Sequence, residues 1–329
     1  MSDPELSPET SKVTESWQQT VQAVLALAML AAAAAMIYFY VPGIVRSPTA
    51  DGSQRQDLQN EVSALSAQVA QLEKEQAMPA LVLNRYRNSI GYIYGVYQVG
   101  FRNQPATIRA RVSGTGFLVG EGLLATNRHV AEPWYGDAEA EGLLHRGAVA
   151  TLESLVIFFP GSATPVSLTP GVVSSAQDLA VLRIEDKAAV RGMAILPIAK
   201  GLAAPGDLVT VVGYPMGIAG MVAKSPEGIY QRMAFRHNDI TAASELAALS
   251  LIRPSTTWGH LGDVVGDKLI YDATTAHGGS GGPVFNSSGE VIGVNSAFID
   301  GFSGGTLGYS ARALLALIAD AKEKAKPAH

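Results

Sequence analysis

His277-Gly278-Gly279-Ser280-Gly281-Gly282-Pro283-Val284-Phe285 sets one hydroxyl among four glycines and runs straight into an apolar strand. Alone, a Gly-rich stretch with a serine is most often a connector. It lacks the Lys-Ser/Thr ending of a phosphate-binding loop, which argues against a nucleotide site. Two upstream stretches change its weight. Leu124-Ala125-Thr126-Asn127-Arg128-His129-Val130-Ala131 puts an imidazole where a strand turns, and Gln177-Asp178-Leu179-Ala180-Val181-Leu182-Arg183-Ile184 puts a carboxylate just before a strand. A histidine at a strand end is usually structural, and an aspartate before a strand is usually a turn residue. Together the three residues supply an alcohol, a base that can take its proton, and an anion that can orient the base.

The surrounding pattern is all-β. Strand-like runs stand at Gly116–Val119, Leu123–Thr126, Leu155–Phe159, Leu179–Ile184, Leu208–Tyr214, Lys268–Tyr271, Pro283–Phe285, Val291–Val294 and Leu307–Ser310. Turn pairs such as Glu121-Gly122, Pro160-Gly161, Pro205-Gly206 and Ser288-Gly289 separate them. With no βαβ alternation, the sequence predicts two packed antiparallel β-barrels within 81–325, one over about 81–204 and the other over about 205–325. Leu314, Leu315, Leu317, Ile318 and Ala321 share one broad helical face, so Ala311–Lys324 reads as a closing helix. A second helix is expected at Thr241–Ile252, and Arg253–Asp267 reads as a loop.

Composition removes several function classes. The 329 residues are 47% hydrophobic and 16% charged, with a net charge of −5, which gives nucleic acid no electrostatic purchase. No cysteine is present, so neither disulfide nor thiolate chemistry is open to the chain. The histidines lack ligand spacing, and no metal or organic cofactor is expected.

The N-terminal part reads differently. After a polar tail over 1–20, residues 21–41 form the centre of 30 uncharged residues between Glu15 and Arg46. That length spans a hydrocarbon core of roughly 30 Å as a helix. Trp17 at one end and Tyr38, Phe39 and Tyr40 at the other suit the two interfaces, and the acidic start argues against a cleaved signal peptide. A single-pass membrane helix is therefore expected. Basic residues flank it on both sides (Lys12; Arg46, Arg55), so charge assigns no orientation. Over 54–76, Leu58, Val62, Leu65, Val69 and Leu72 recur at spacings of 4, 3, 4 and 3. This heptad seam predicts a short coiled-coil stalk and a homo-oligomer, ended by Met78-Pro79.

The order His129, Asp178, Ser280 resembles that of the trypsin-like superfamily, and the motifs around it are most similar to those of bacterial HtrA/Deg proteases. The pieces that carry the likeness are Thr126-Asn127-Arg128-His129-Val130, Asp178-Leu179-Ala180-Val181-Leu182, Gly213-Tyr214-Pro215-Met216-Gly217, and Gly281-Gly282-Pro283-Val284-Phe285 with Gly289-Glu290-Val291-Ile292-Gly293-Val294. The resemblance implies a serine endopeptidase acting on protein or peptide substrates, with His129, Asp178 and Ser280 as its triad. It places Gly278 and Ser280 N–H in the oxyanion hole, Thr274 on the floor of the specificity pocket, and Asn295, Ser296 and Ala297 on the strand that pairs with substrate. A neutral Thr274 disfavours cleavage after Lys or Arg and suits small or medium apolar side chains. It further implies a catalytic domain outside the cytoplasm, in the periplasm of a bacterium. Two departures stand out. Gly279 replaces the side chain that the family carries before its serine, and Met216–Tyr271 is unusually long, as is Glu132–Gly147 after the histidine. A C-terminal PDZ domain, common in HtrA-type proteins, is not expected in the stretch after the closing helix. The competing expectation is a silent or dormant barrel serving as a tethered binding or scaffold module.

Overall fold

The computed structural model describes residues 52–236, 240–298 and 305–324, with helical residues 24–25, 27–33 and 35–36. The chain divides into two compact units, Met1–Ala70 and Gln71–His329. Part of the expected membrane segment 21–41 and all of the 1–20 tail lie outside the described residues. No helix among the described residues is long and apolar enough to cross a membrane.

Helix α1 (Gly52–Tyr86) leads into the first barrel, built from β1 (Ile90–Gly100), β2 (Ile108–Gly120), β3 (Leu123–Thr126), β4 (Val149–Phe158), β5 (Val166–Val173) and β6 (Ala180–Ile184). Between β3 and β4 come α2 (Arg128–Ala131) and α3 (Ala138–His145). The second barrel starts at β7 (Leu208–Gly213), followed by α4 (Gly217–Ala223), α5 (Glu227–Met233) and α6 (Ile240–Ala248). It continues through β8 (Ser255–Val265), β9 (Lys268–Tyr271), β10 (Pro283–Phe285), β11 (Val291–Phe298) and β12 (Thr306–Ser310), and α7 (Ala311–Glu323) follows. Each barrel is closed, with strand order β1-β2-β3-β6-β5-β4 and β7-β8-β9-β12-β11-β10. The connectivity is the same in both, and every strand pairing is antiparallel.

Closure pairs each strand with two neighbours over part of its length and gives each barrel its own interior core. Ile93, Leu124, Ile157 and Leu182 fill the first, and Val209, Leu261, Leu269 and Val284 the second. A third cluster joins the barrels through Tyr92, Phe117, Val212, Tyr214 and Phe285. The Tyr92 and Tyr214 rings lie 5.7 Å apart, and Tyr214 donates its hydroxyl to the Ile90 carbonyl at 3.0 Å. Burial pushes the pKa of Tyr214 well up, so this donor stays protonated.

Several expectations are corrected. Helix α1 does not stop at Met78-Pro79 but runs through Pro79 to Tyr86. An interior proline costs about 3 kcal/mol. Met78, Val82 and Tyr86, spaced one helical turn apart, are all buried against the barrels. At about 1.5–3 kcal/mol each, their burial outweighs that cost. Tyr86 also stacks on Phe285 at 5.7 Å. The expected loop Arg253–Asp267 is largely β8, so Met216–Tyr271 is no single insertion. Its last part supplies two barrel strands, and the added matter is α4 to α6. The helix expected over Thr241–Ile252 ends at Ala248, and Ser250 adopts a left-handed φ of 57°. In α7, Leu314, Leu317, Ile318 and Ala321 are buried as expected, but Leu315 is 36% exposed.

Candidate functional site

Strand β3 ends at Thr126, and the single turn α2 carries His129. Asn127 is wholly buried, and its Nδ2 donates to the Asp178 carbonyl at 2.7 Å, fixing the backbone from which the carboxylate projects. The Asp178 carboxylate then accepts three bonds. Oδ1 takes the His129 backbone N–H at 2.9 Å, and Oδ2 takes His129 Nδ1 at 2.7 Å and Ser296 Oγ at 2.6 Å. Burial alone would raise the Asp178 pKa. Hydrogen bonding and charge from the His129 ring, then the Ser296 hydroxyl and the His129 N–H, more than offset it and hold the carboxyl below its ordinary range. A carboxylate on Nδ1 fixes the tautomer that leaves Nε2 as an acceptor.

Ser280 sits on a tight turn between β9 and β10. Gly279 N–H donates to the Ala276 carbonyl at 2.9 Å and Gly282 N–H to the Gly279 carbonyl at 3.1 Å. The first barrel grips this turn through buried Thr115 of β2. Its N–H donates to the Ser280 carbonyl at 2.7 Å, and its Oγ1 donates to the Gly278 carbonyl at 2.8 Å while accepting from Tyr214 N–H at 3.1 Å. Gly278 has φ +90°, and a Cβ there would lie 2.5 Å from the Tyr214 carbonyl and 2.8 Å from Gly217 N. Only glycine fits without displacement. The Gly278 and Ser280 N–H groups have no protein acceptor among the described residues. Ser280 Oγ donates to the Ser296 carbonyl at 2.7 Å.

An open cleft of about 520 Å³ leads to the His129–Asp178 pair, with Tyr97, Arg111, Tyr135 and Tyr309 among its walls. The segment after the histidine supplies one side of it, where Trp134 packs on Tyr97 at 6.4 Å.

The expected substrate-contact residues divide. The Ser296 side chain turns to Asp178, and its carbonyl faces Ser280. Asn295 is fully buried beneath the serine turn and presents no side chain to the cleft. Thr274, expected on the floor of the specificity pocket, is an exposed residue whose carbonyl accepts from Thr257 Oγ1 at 2.8 Å. The backbone of Ala297 belongs to β11. Sequence reasoning missed Thr115. Its one signal is the preceding Gly114, where a Cβ would lie 3.2 Å from the Ser280 carbonyl, so that glycine lets the serine turn approach β2 closely.

A family model for the trypsin-like peptidase domain matches residues 114–294, more than half the chain. A probable periplasmic DegP-like serine endoprotease of Rhizobium meliloti (strain 1021) is 31% identical over 202 residues, covering 61% of this chain and 31% of that protein. The chain thus spans about a third of the length of that curated relative. Among solved structures, a serine endoprotease from Yersinia pestis matches with TM-score 0.48 at 17% identity, covering 75% of this chain and 68% of that one. The active form of the Rv3671c protease from M. tuberculosis matches with TM-score 0.48 at 17% identity, covering 73% and 83%. With the domain match covering more than half the chain and reaching into both barrels, the chain belongs to the family of trypsin-like peptidase domains, and a DegP-like serine protease is among its homologues.

Proposed function

We propose that the chain is a membrane-anchored serine endopeptidase in which His129, Asp178 and Ser280 form the catalytic triad. The observation that carries this reading is the Asp178 carboxylate bonded to both His129 nitrogens that face it. In the reaction, Ser280 Oγ attacks the scissile carbonyl carbon while its proton passes to His129 Nε2. The carbonyl oxygen becomes an oxyanion facing the Gly278 and Ser280 N–H groups. Collapse breaks the C–N bond, His129 returns the proton to the leaving amine, and water, deprotonated by His129, releases the acyl group. Beyond the end of β10, residues 297 and 298 of β11 pair with β12 and with no other strand among the described residues, which favours pairing with an extended peptide on the other side. A fluorophosphonate probe added to the folded full chain in detergent is expected to label it, with the adduct mapped to the peptide containing Ser280. Labelling elsewhere would reject Ser280 as nucleophile.

The bond from Ser280 Oγ to the Ser296 carbonyl favours a second reading, a dormant or silent barrel used as a tethered binding module. Attack requires the hydroxyl to leave that acceptor. Folded chain that resists the probe altogether would support this second reading.

The anchor rests on the uncharged run around 21–41, and extracytoplasmic placement rests on the likeness to a relative named as periplasmic. The oligomer rests on the stalk: Leu58, Val62, Leu65, Val69 and Leu72 are each 52–61% exposed, an apolar seam without a partner among the described residues. Light scattering should give a multiple of the 34.4 kDa chain mass. Val62→Asp with Leu65→Asp should reduce it to one chain while turnover per Ser280 persists. A monomeric unmutated chain would sink the stalk reading.

A further inference from the structure

The two N–H groups assigned to the oxyanion belong to peptides whose carbonyls are held in place. A trans peptide is planar, with N–H and C=O pointing opposite ways, so gripping one carbonyl aims the next residue's N–H. The His277 carbonyl accepts from Met216 N–H at 2.6 Å, which aims Gly278 N–H. The Gly279 carbonyl accepts from Asn295 Nδ2 at 2.9 Å and from Gly282 N–H at 3.1 Å, which aims Ser280 N–H. Asn295 is itself locked. Its N–H donates to the Gly282 carbonyl at 2.8 Å, its carbonyl accepts from Gly281 N–H at 2.7 Å, and Nδ2 also reaches Thr275 Oγ1 at 3.2 Å.

An amide side chain can turn either its oxygen or its nitrogen to a neighbour. The Gly279 carbonyl only accepts, so Nδ2 must face it, and Oδ1 then faces Tyr271. The Tyr271 hydroxyl donates to Oδ1 at 2.7 Å, the one donor Oδ1 has among the described residues. Tyr271 is 1% exposed, and burial pushes its pKa well up, so the hydroxyl remains a donor. A side chain at position 279 could not substitute for this grip. A Cβ on Gly279 would lie 2.3 Å from Thr275 Oγ1 and 3.0 Å from the Ala276 carbonyl. The space a side chain at 279 would need is thus taken by Thr275, and Asn295 Nδ2 lies 3.6 Å from the same Cβ position.

We infer that Asn295, held in one orientation by Tyr271, is the positioning residue that aims Ser280 N–H at the developing oxyanion. This deepens the serine-peptidase reading and rests on it. Neither residue touches substrate, so the effect falls on turnover and leaves substrate affinity unchanged.

Two readouts on the full chain test it. Tyr271→Phe removes one oxygen and is expected to lower kcat about 10-fold, with KM within about twofold. Asn295→Asp replaces the donor with an acceptor and is expected to lower kcat about 100-fold or more, the scale of losing an oxyanion donor. Rates are normalised to fluorophosphonate-titrated sites. A merely structural role would lower the thermal midpoint and leave the normalised kcat unchanged, which would overturn the inference. The second readout, hydrogen exchange of the peptide 276–285, needs no turnover. Either variant should speed its exchange several-fold relative to the strands of the first barrel. Unchanged exchange in a folded variant overturns the brace. An unmutated chain that neither labels nor turns over refutes the peptidase reading instead, and exchange still decides whether Tyr271 and Asn295 hold the turn.

Discussion

Ser280→Ala is expected to lower kcat on a peptide substrate by about 10⁴- to 10⁶-fold, with KM within about threefold. The substitution deletes one oxygen whose resting partner is the Ser296 carbonyl. A single neutral hydrogen bond contributes about 0.5–1.5 kcal/mol, so the thermal midpoint should shift by only a few degrees. The geometry of the turn should persist, because Thr115 N–H holds the Ser280 carbonyl and Asn295 holds the Gly279 carbonyl, and neither contact uses the serine side chain. What activity remains would come from substrate positioning and the Gly278 and Ser280 N–H groups acting on water attack. A folded Ser280→Ala protein retaining more than about a hundredth of the activity would remove Ser280 from the nucleophile role.

The turn is held by three separate parts of the chain: Thr115 of β2, Asn295 of β11, and the Tyr214–Met216 corner after β7. The first lies in one barrel and the others in the second. The proposed triad is split the same way, with His129 and Asp178 on the first barrel and Ser280 on the second. The inter-barrel cluster around Tyr92 and Tyr214 therefore sets the spacing between His129 and Asp178 on one side and the serine turn on the other. Loosening it should cost turnover before it costs the fold of either barrel.

The residues proposed for the triad were legible because they are marked by residue type, and the structure brings His129 and Asp178 into contact. His129, Asp178 and Ser280 each abut an apolar strand, and the glycines around Ser280 mark close backbone approach. The strands that escaped are those whose pattern is blurred for a structural reason. β1 is apolar along nearly its whole length, because one face fills the barrel while the other meets the second barrel and α1, so the two-residue alternation vanishes. β5 carries Pro170-Gly171 at the point where its register against β6 shifts, and a bulge reads as a turn. β8 has only two buried residues, Gly259 and Leu261, and carries Gly262 and Asp263 in its interior. The role of Asn295 could not be read at all. Its partners Tyr271, Thr275 and Gly279 lie 24, 20 and 16 residues away, at no period of helix or strand.

Asp178→Asn should lower kcat by about 10⁴-fold with the fold intact. The Asp178 carboxylate presents acceptors to three donors, whereas an amide offers one oxygen and an NH₂ group. If the amide oxygen stays on the His129 backbone N–H, the NH₂ faces the ring. Nδ1 must then accept, the proton moves to Nε2, and the ring is no longer a base toward Ser280. If the amide flips, the backbone N–H of His129 loses its acceptor and the turn that carries the ring is disturbed. Either way turnover falls while substrate still binds. The same substitution should change the acid limb of stability. The Asp178 pKa is lowered in the folded state, so the folded chain binds fewer protons there than the unfolded chain. Its stabilisation is fully present above the unfolded carboxylate value of about 3.9 and is lost as pH falls through the lower folded value. The drop in urea midpoint between pH 6 and pH 3 should therefore be smaller for Asp178→Asn than for the unmutated chain. A kcat within tenfold of the unmutated protein would mean that Asp178 does not set the His129 tautomer. An unchanged acid limb would mean that its hydrogen bonds to His129 and Ser296 do not hold its proton affinity down.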